Sequence, residues 1–276
     1  MAETEKDYAV AFAVPADSPG ITYIYGRQPS DTRKMEDGNI DMGNVHYGGQ
    51  EALVIFDKVF VPRERVFMLG EYHYCGRLVD IFASYHRSSY GGCKSGVIDV
   101  LIGATSLLAE YQGTAKASHI KDKIIEMTHL NETLYAAGLA SAVEGYQLPC
   151  GSYCVNSLLA NVCKLNVTKA PFEISRLAID IAGGILVTLP SEKDFRHPEL
   201  GSYMRKYLQG TGSSSTEARM RLLRLIENMT LGSGAVCLLA ESVHGAGSPQ
   251  AQRVMISRQA NLEHKQKLAK EIAAIN

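Results

Sequence analysis

In the stretch Tyr85-His86-Arg87-Ser88-Ser89-Tyr90-Gly91-Gly92-Cys93-Lys94, the side chains of His86, Tyr90, Cys93 and Lys94 stand at i, i+4, i+7 and i+8. At 3.6 residues per turn the four share one helical face, which continues as Val97, Leu101, Ala104 and Leu108. That continuation is apolar, so the face is expected to point inward. Burying an imidazole, a phenol, a thiol and an ammonium together is costly unless they pair with one another or with something bound. Singly, each has an ordinary structural reading: a hydrogen-bonded core histidine, a core tyrosine, a small hydrophobic thiol. Together they read as a site. Glycine inside a helix costs about 1 kcal/mol relative to alanine, so the pair Gly91-Gly92 is expected where a bound group lies against the backbone.

Two further stretches carry chemistry-bearing residues. Asp180-Ile181-Ala182-Gly183-Gly184 ends a helical pattern on two glycines, which suits either a helix stop or close approach of backbone to a ligand. Glu241-Ser242-Val243-His244-Gly245-Ala246-Gly247-Ser248-Pro249-Gln250 places a carboxylate on the last turn of one helix and exposed amides at the start of the next. By contrast, Gln209-Gly210-Thr211-Gly212-Ser213-Ser214-Ser215 lacks the Lys-Ser/Thr ending of a phosphate loop and follows no strand. Cys150 and Cys154, three residues apart in a loop, have no second pair nearby to complete a metal site.

The elements that must position these residues change character along the chain. Tyr8 to Val14, Ile21 to Tyr25 and Ala52 to Val61 are short β-rich runs, broken by Pro15-Ala16-Asp17-Ser18-Pro19-Gly20 and closed at Pro62. Arg27 to Gln50 is polar and reads as a loop. Three strands are too few to close a sheet, so the chain is expected to begin inside a β-domain whose first half is absent. After Pro62 the period becomes about 3.6. Helices are expected from Cys75 to Gln112, Ala117 to Tyr146, Asn156 to Ile185 with a break at Pro171, Ser215 to Val243, and Pro249 to Ile275. Long helices joined by short connections make a bundle. The expected fold is mainly α, with residues 1–62 the end of a β-domain and 63–276 a helical bundle.

Composition narrows the partners. The chain has 276 residues, 46% of them hydrophobic, which is ample for a large core. With 28 basic and 29 acidic residues the net charge is −1, which argues against nucleic acid or a membrane surface as partner. No apolar run in the sequence approaches the ~20 residues of a membrane span. The charged start is unlike a secretory signal, and the expected location is the cytoplasm. The six cysteines are scattered and do not form a disulfide framework.

Five segments, Gly48-Gly49-Gln50-Glu51-Ala52-Leu53, Phe56 to Pro62, His86 to Lys94, Asp180 to Gly184 and Glu241 to Gln252, together resemble the 4-hydroxybutyryl-CoA dehydratase/vinylacetyl-CoA isomerase family. The resemblance runs from about Asp7 to the C-terminus. His-x6-Cys-Lys with an intervening Tyr separates that family from its flavin-dependent relatives, the 4-hydroxyphenylacetate 3-hydroxylase oxygenase components. The resemblance implies an acyl-CoA dehydrogenase fold, here the last part of the middle β-domain and the C-terminal bundle. It also implies dehydration of 4-hydroxybutyryl-CoA to crotonyl-CoA by a radical mechanism with FAD and a [4Fe-4S] cluster, and migration of the vinylacetyl-CoA double bond. On this resemblance His86 and Cys93 are two of the four cluster ligands, His86 being catalytic as well. Tyr90, Lys94, Glu51 and Glu241 surround the acyl-CoA substrate, and Asp180 to Gly184 touches FAD across a subunit interface of a homotetramer.

The other two cluster ligands of that family form a Cys-x3-Cys pair in an N-terminal helical domain that this chain lacks. Cys150 and Cys154 reproduce the spacing at the wrong place. The chain is therefore expected either to meet a separate N-terminal half or to be inactive alone. Two alternatives are a flavin-dependent hydroxylase of the same fold, which leaves His86, Cys93 and Lys94 unexplained, and a non-catalytic assembly fragment.

Overall fold

The computed structural model describes residues 2–25, 52–212 and 214–275. Glu51 and the Gly48-Gly49-Gln50 before it lie outside the described residues, as does the loop expected over 27–50. Four short strands, β1 (Val10–Phe12), β2 (Ile21–Tyr25), β3 (Ala52–Phe56) and β4 (Val66–Leu69), pair antiparallel as β1 with β4 and β2 with β3. In the second pair Ile21 faces Phe56 and Tyr25 faces Ala52. The first strand is shorter than its β-rich run because Glu3–Tyr8 winds into a 3-10 helix. β4 corrects the expectation that helical periodicity follows directly on Pro62. Its four residues alternate in burial and pair with β1, too short a run to be distinguished from a 3.6 period in sequence. Leu53, Val54, Ile55 and Phe56 of β3 are exposed, as expected of a two-stranded ribbon with no covering layer.

The helices α1 (Cys75–Tyr111), α2 (Ser118–Val143), α3 (Ser157–Val167) and α4 (Ala170–Ala182) follow, and α1 is the element on which the bundle is built. It packs against α2, α3, α4 and α7 (Thr216–Thr230). Its inward stripe of Ile98, Leu101 and Leu108 meets Met127 and Leu134 of α2, Val167 of α3, Ile174 of α4 and Ile226 of α7 in one core. Each such side chain contributes roughly 1.5–3 kcal/mol on full burial. By length and composition α1 is also apolar enough to cross a membrane, contrary to the sequence expectation. Its packing against four other helices is that of a core helix.

The long periodic runs are cut where local chemistry demands it. The third breaks at Thr168-Lys169, leaving Pro171 in the first turn of α4, where its missing N–H would have had no helical partner. After α5 (Glu192–Arg196), α6 (Leu200–Tyr207) and α7, the chain breaks at Leu231-Gly232. It resumes as α8 (Ser233–Ala235), a π-helical turn over Val236–Ala240, and α9 (Glu241–His244). The last run splits into α10 (Pro249–Gln259) and α11 (Leu262–Ile272) at Asn261, whose backbone is left-handed and whose side chain accepts from His264 N. Ser215 and Ser248 cap α7 and α10 as their sequence contexts predict. A two-residue hairpin of β5 (Tyr146–Gln147) and β6 (Tyr153–Cys154) after α2 shows that strand pairing is not confined to the start of the chain.

Gly91 and Gly92 turn out to have different reasons. A Cβ on Gly91 would stand 2.7 Å from Gly138 Cα and 2.9 Å from the Leu134 carbonyl oxygen. Gly91 and Gly138 thus mark the point where α1 and α2 touch backbone to backbone, and helix packing replaces the bound group expected there. Gly92 faces open space. Gly91→Ala and Gly138→Ala should each lower stability by about 1–3 kcal/mol through overpacking. Gly92→Ala should be neutral or stabilising by up to about 1 kcal/mol, its helix propensity gain. Urea unfolding of the three variants checks this, and equal effects at Gly91 and Gly92 would refute the close crossing.

Candidate active site

The close crossing fixes which face of α1 is inward. Arg87, Tyr90, Gly91, Lys94 and Ser95 are buried, whereas His86 and Cys93 are exposed. The expectation of one inward face for His86, Tyr90, Cys93 and Lys94 is corrected: the four straddle the edge of the buried stripe, two on each side. Val97 is exposed with His86 and Cys93, and Leu101, Ala104 and Leu108 continue the buried side. The cause is α2, which takes up the Gly91 side of the helix and rotates the i+3/i+4 stripe by part of a turn.

Tyr90 and Lys94 converge on Glu241 from α9. The Tyr90 hydroxyl donates to Glu241 Oε1 at 2.9 Å, and the Lys94 ammonium is paired with Glu241 Oε2. His86 lies against the Tyr90 ring, with centroids 5.4 Å apart, and Phe82 flanks its other side at 6.0 Å. Burial pushes the Glu241 carboxyl up, but the Lys94 ammonium, the Tyr90 hydroxyl and the nearby His86 hold it below the ordinary carboxylate range. The result is an ionised carboxylate with two donors, at the edge of the core. The π-turn over 236–240 directly precedes Glu241, and such turns recur where a helix must re-aim a functional side chain. Gly245 makes room for the arrangement, since a Cβ there would stand 2.0 Å from the Tyr90 hydroxyl.

Two more cations complete the cluster. Lys164 of α3 is wholly buried and its Nζ lies 4.8 Å from the Tyr90 ring centroid, as Lys94 Nζ does at 5.5 Å. Arg87 donates through Nε to the Ala246 carbonyl at 3.0 Å and through Nη1 to Asn161 Oδ1 at 2.9 Å. Neither Lys164 nor Arg87 was a candidate on sequence grounds. The signal was present nonetheless: Lys164 occupies an apolar phase among Ala160, Cys163 and Val167, as Lys94 does in α1. Desolvation lowers the Lys164 pKa to about 8, with the positive charges of Lys94 and Arg87 adding to the shift and Glu241 opposing it.

The remaining candidates lie apart. Asp180 is exposed at the end of α4 and pairs with Lys123 of α2 at 2.6 Å, which with neighbouring positive charge holds its carboxyl below the usual range. Ile181 and Ala182 are core residues, Gly183 carries a positive φ of 80°, and nothing lies within 4 Å of a Cβ placed on Gly183 or Gly184. That open, side-chain-free backbone suits contact with a flat ligand. Of the two residues expected to bind iron, His86 offers one nitrogen and Cys93 one sulfur on the exposed side of α1. Among the described residues no group of three His, Cys, Asp or Glu side chains is placed to hold a metal.

Fold and sequence together define the class. Residues 75–274 match the family model "4-hydroxyphenylacetate 3-hydroxylase C terminal" and residues 1–68 its N-terminal counterpart, so the chain belongs to the 4-hydroxyphenylacetate 3-hydroxylase family. Within it, the chain is 56% identical to 4-hydroxybutyryl-CoA dehydratase/vinylacetyl-CoA-Δ-isomerase of Clostridium aminobutyricum, over 100% of this chain and 58% of that protein. The solved oxygen-tolerant archaeal 4-hydroxybutyryl-CoA dehydratase from N. maritimus superposes with a TM-score of 0.96 at 59% identity, covering 100% of this chain and 55% of that one. The FAD complex of a 4-hydroxyphenylacetate 3-monooxygenase oxygenase component gives 0.86 at 26% identity, covering 99% and 57%. The fold alone is shared with an acyl-CoA dehydrogenase, glutaryl-coenzyme A dehydrogenase, at 15% identity and a TM-score of 0.50. The chain spans about half the length of the curated relatives it matches.

Two outcomes follow from this geometry. Gly245→Ala should cost about 1–3 kcal/mol by colliding with the Tyr90 hydroxyl and, at 2.9 Å, with the Glu241 carbonyl oxygen, and only part of the loss should return in the double variant with Tyr90→Phe, read by urea unfolding. For Lys164, the unfolded chain holds its proton up to about 10.5 and the folded chain releases it from about 8. Between those values the unfolded state binds more protons, so this group makes stability rise with pH across that window. Lys164→Met should remove that part of the rise, measured as wild-type minus variant stability from pH 7 to 10.5.

Proposed function

We propose that this chain is the part of a 4-hydroxybutyryl-CoA dehydratase/vinylacetyl-CoA isomerase that contributes the Tyr90, Lys94 and Glu241 side of the active site, together with His86 and Cys93. The observation that carries the reading is the ionised Glu241 held between the Tyr90 hydroxyl and the Lys94 ammonium, with the His86 imidazole against the same ring. Whole-chain identity of 56% to the clostridial enzyme supports it. Residues 1–62 are read as the end of a middle β-domain, 63–276 as the C-terminal bundle, and the enzyme as cytoplasmic.

Within an acyl-CoA enzyme each of these side chains has a proton or a charge to manage. Glu241, being ionised, accepts a proton from the carbon beside the thioester. Lys94 offsets the negative charge that develops on the thioester oxygen as that proton leaves, and the Tyr90 hydroxyl keeps the carboxylate aimed. His86, solvent-facing and stacked on Tyr90, takes the proton from the next carbon. His86 and Cys93 would hold the exposed side of a [4Fe-4S] cluster, and the open backbone at Gly183-Gly184, next to Asp180, Ile181 and Ala182, would lie against FAD. When bound, those groups supply one-electron chemistry and a Lewis acid for the departing hydroxyl. Glu51, outside the described residues, is the second carboxylate on the substrate.

Two ligands leave a cube with two open corners, and one contact segment is a small part of a flavin site. The missing walls belong to the half of the relatives that this chain does not span. The exposed apolar residues Phe82, Val97 and Val100, alongside His86 and Cys93, support burial of this side by a partner, and those of β3 support self-association into an oligomer. Reconstituted anaerobically with iron, sulfide and FAD, the chain alone should convert no 4-hydroxybutyryl-CoA to crotonyl-CoA. Addition of a polypeptide corresponding to the unspanned half should restore turnover and a bound iron-to-flavin ratio of about 4:1, as one four-iron cluster per flavin requires. His86→Ala and Cys93→Ala should abolish both the iron and the activity. Turnover by the lone chain, or iron retained without Cys93, would refute the assignment.

A further inference from the structure

Lys164 is the largest fully buried polar side chain among the described residues and has no part in the chemistry described above. Its relative exposure is 0%, and among the described residues it forms no salt bridge. Its ammonium instead donates to two main-chain carbonyls, Ser242 at 2.6 Å and Val243 at 3.5 Å, and lies over the face of Tyr90. A buried cation bonded only to carbonyls and a ring, with Glu241 attracting it and Lys94 and Arg87 repelling it, is costly, and a neutral side chain would fill the same space more favourably. Its retention calls for something that the charge does.

The two carbonyls are the ones that follow Glu241. Glu241–His244 is the last turn of the helical run from Ser233; Gly245 N and Gly247 N serve the Glu241 and His244 carbonyls, and those of Ser242 and Val243 between them receive Lys164 instead. Here that end points into the bundle, so a donor must come from the protein. A cation at this end also lies at the negative pole of the run. The same ammonium, through the ring of Tyr90, faces the residue whose hydroxyl holds Glu241 Oε1. Arg87 ties down a carbonyl three residues beyond Val243, that of Ala246, whose φ of 57° is left-handed and needs such support.

We propose that Lys164 is a positioning residue for the Glu241 carboxylate: its ammonium closes the carbonyl end of the helix that carries Glu241 and fixes the ring whose hydroxyl aims it. Lys164 does not touch substrate. It acts through Tyr90 and the Glu241 turn, and it rests on the functional reading above only for its kinetic consequence.

The test has one arm on the chain alone and one on the assembled enzyme. By hydrogen exchange with mass spectrometry, Lys164→Met should speed exchange in the peptide spanning 236–247 by about tenfold or more while α2 and α4 keep their rates, and Lys164→Arg should stay near wild type. In the assembly with the complementing half, Lys164→Met should lower kcat by about tenfold or more with KM within about twofold, because a misaimed carboxylate loses the reaction and not the binding. Lys164→Gln separates capping from charge, since its amide still donates to the same carbonyls. It should protect 236–247 and still lose kcat, and it stands in for the Met variant if that chain does not fold. Unchanged exchange in Lys164→Met, wild-type kcat in either neutral variant, or a loss confined to KM would overturn the proposal. Glu241→Gln run in parallel distinguishes the two readings: if it retains activity, the dehydratase site is misassigned, and the exchange arm alone decides the role of Lys164.

Discussion

Two ammonium groups, Lys94 and Lys164, stand within 5.5 Å of one tyrosine ring, inside a bundle and with a single carboxylate near both. Bringing those charges together is the expensive step in this structure, and it is achieved only if three separate elements arrive in register. Helix α1 brings the ring and one lysine, α3 the other lysine, and α9 the carboxylate with the carbonyls that receive Lys164. No two of these elements satisfy the cluster. The polar interior is therefore a condition on the tertiary fold as much as a product of it, with each unpaired partner penalising any other packing.

The close contact of Gly91 with Gly138 makes the register possible. It lets α2 approach on one side, leaving Arg87, Tyr90 and Lys94 to face α3 and α9 on the other. Tyr90 is itself buried and belongs to the same apolar cluster as Leu134 and Ile174, so little water reaches the ring. Electrostatics near the ring is correspondingly strong, which is why a carboxylate otherwise raised by burial remains ionised beside Lys94.

Much of this was legible in residue order, and the exceptions have physical causes. Helix α1 could be placed almost to the residue because its 3.6 period runs unbroken from Cys75. The same period could not say which edge of the stripe His86 and Cys93 would occupy, because that depends on how α2 seats at Gly91, a contact between residues 47 positions apart in number (138 minus 91). The Gly91-Gly92 pair looked like a ligand contact for the same reason, since a missing side chain does not tell what fills the space. Lys164 was hidden by its type: lysine is so often a surface residue that one in an apolar phase is easily passed over. The breaks at Gly232 and Asn261 depend on single side-chain caps, and a periodic pattern runs through them undisturbed. The resemblance supplied the roles of Glu241 and of Asp180 to Gly184, which no spacing in this chain would have assigned.

The π-helical turn over Val236–Ala240 has a bearing on descent as well as on aim. Such a turn accommodates one residue more than an α-helical path of the same rise, so its presence is a counted quantity along the chain. Because the wider turn absorbs that extra residue, losing one residue within it would return the run to α geometry and leave later side chains at nearly the same angle around the axis. The same loss in α-helical geometry, with no slack to absorb it, would swing Glu241 by about 100° away from the Tyr90 hydroxyl and Lys94. The turn is thus a place where chain length can change by one residue without taking the carboxylate off the ring.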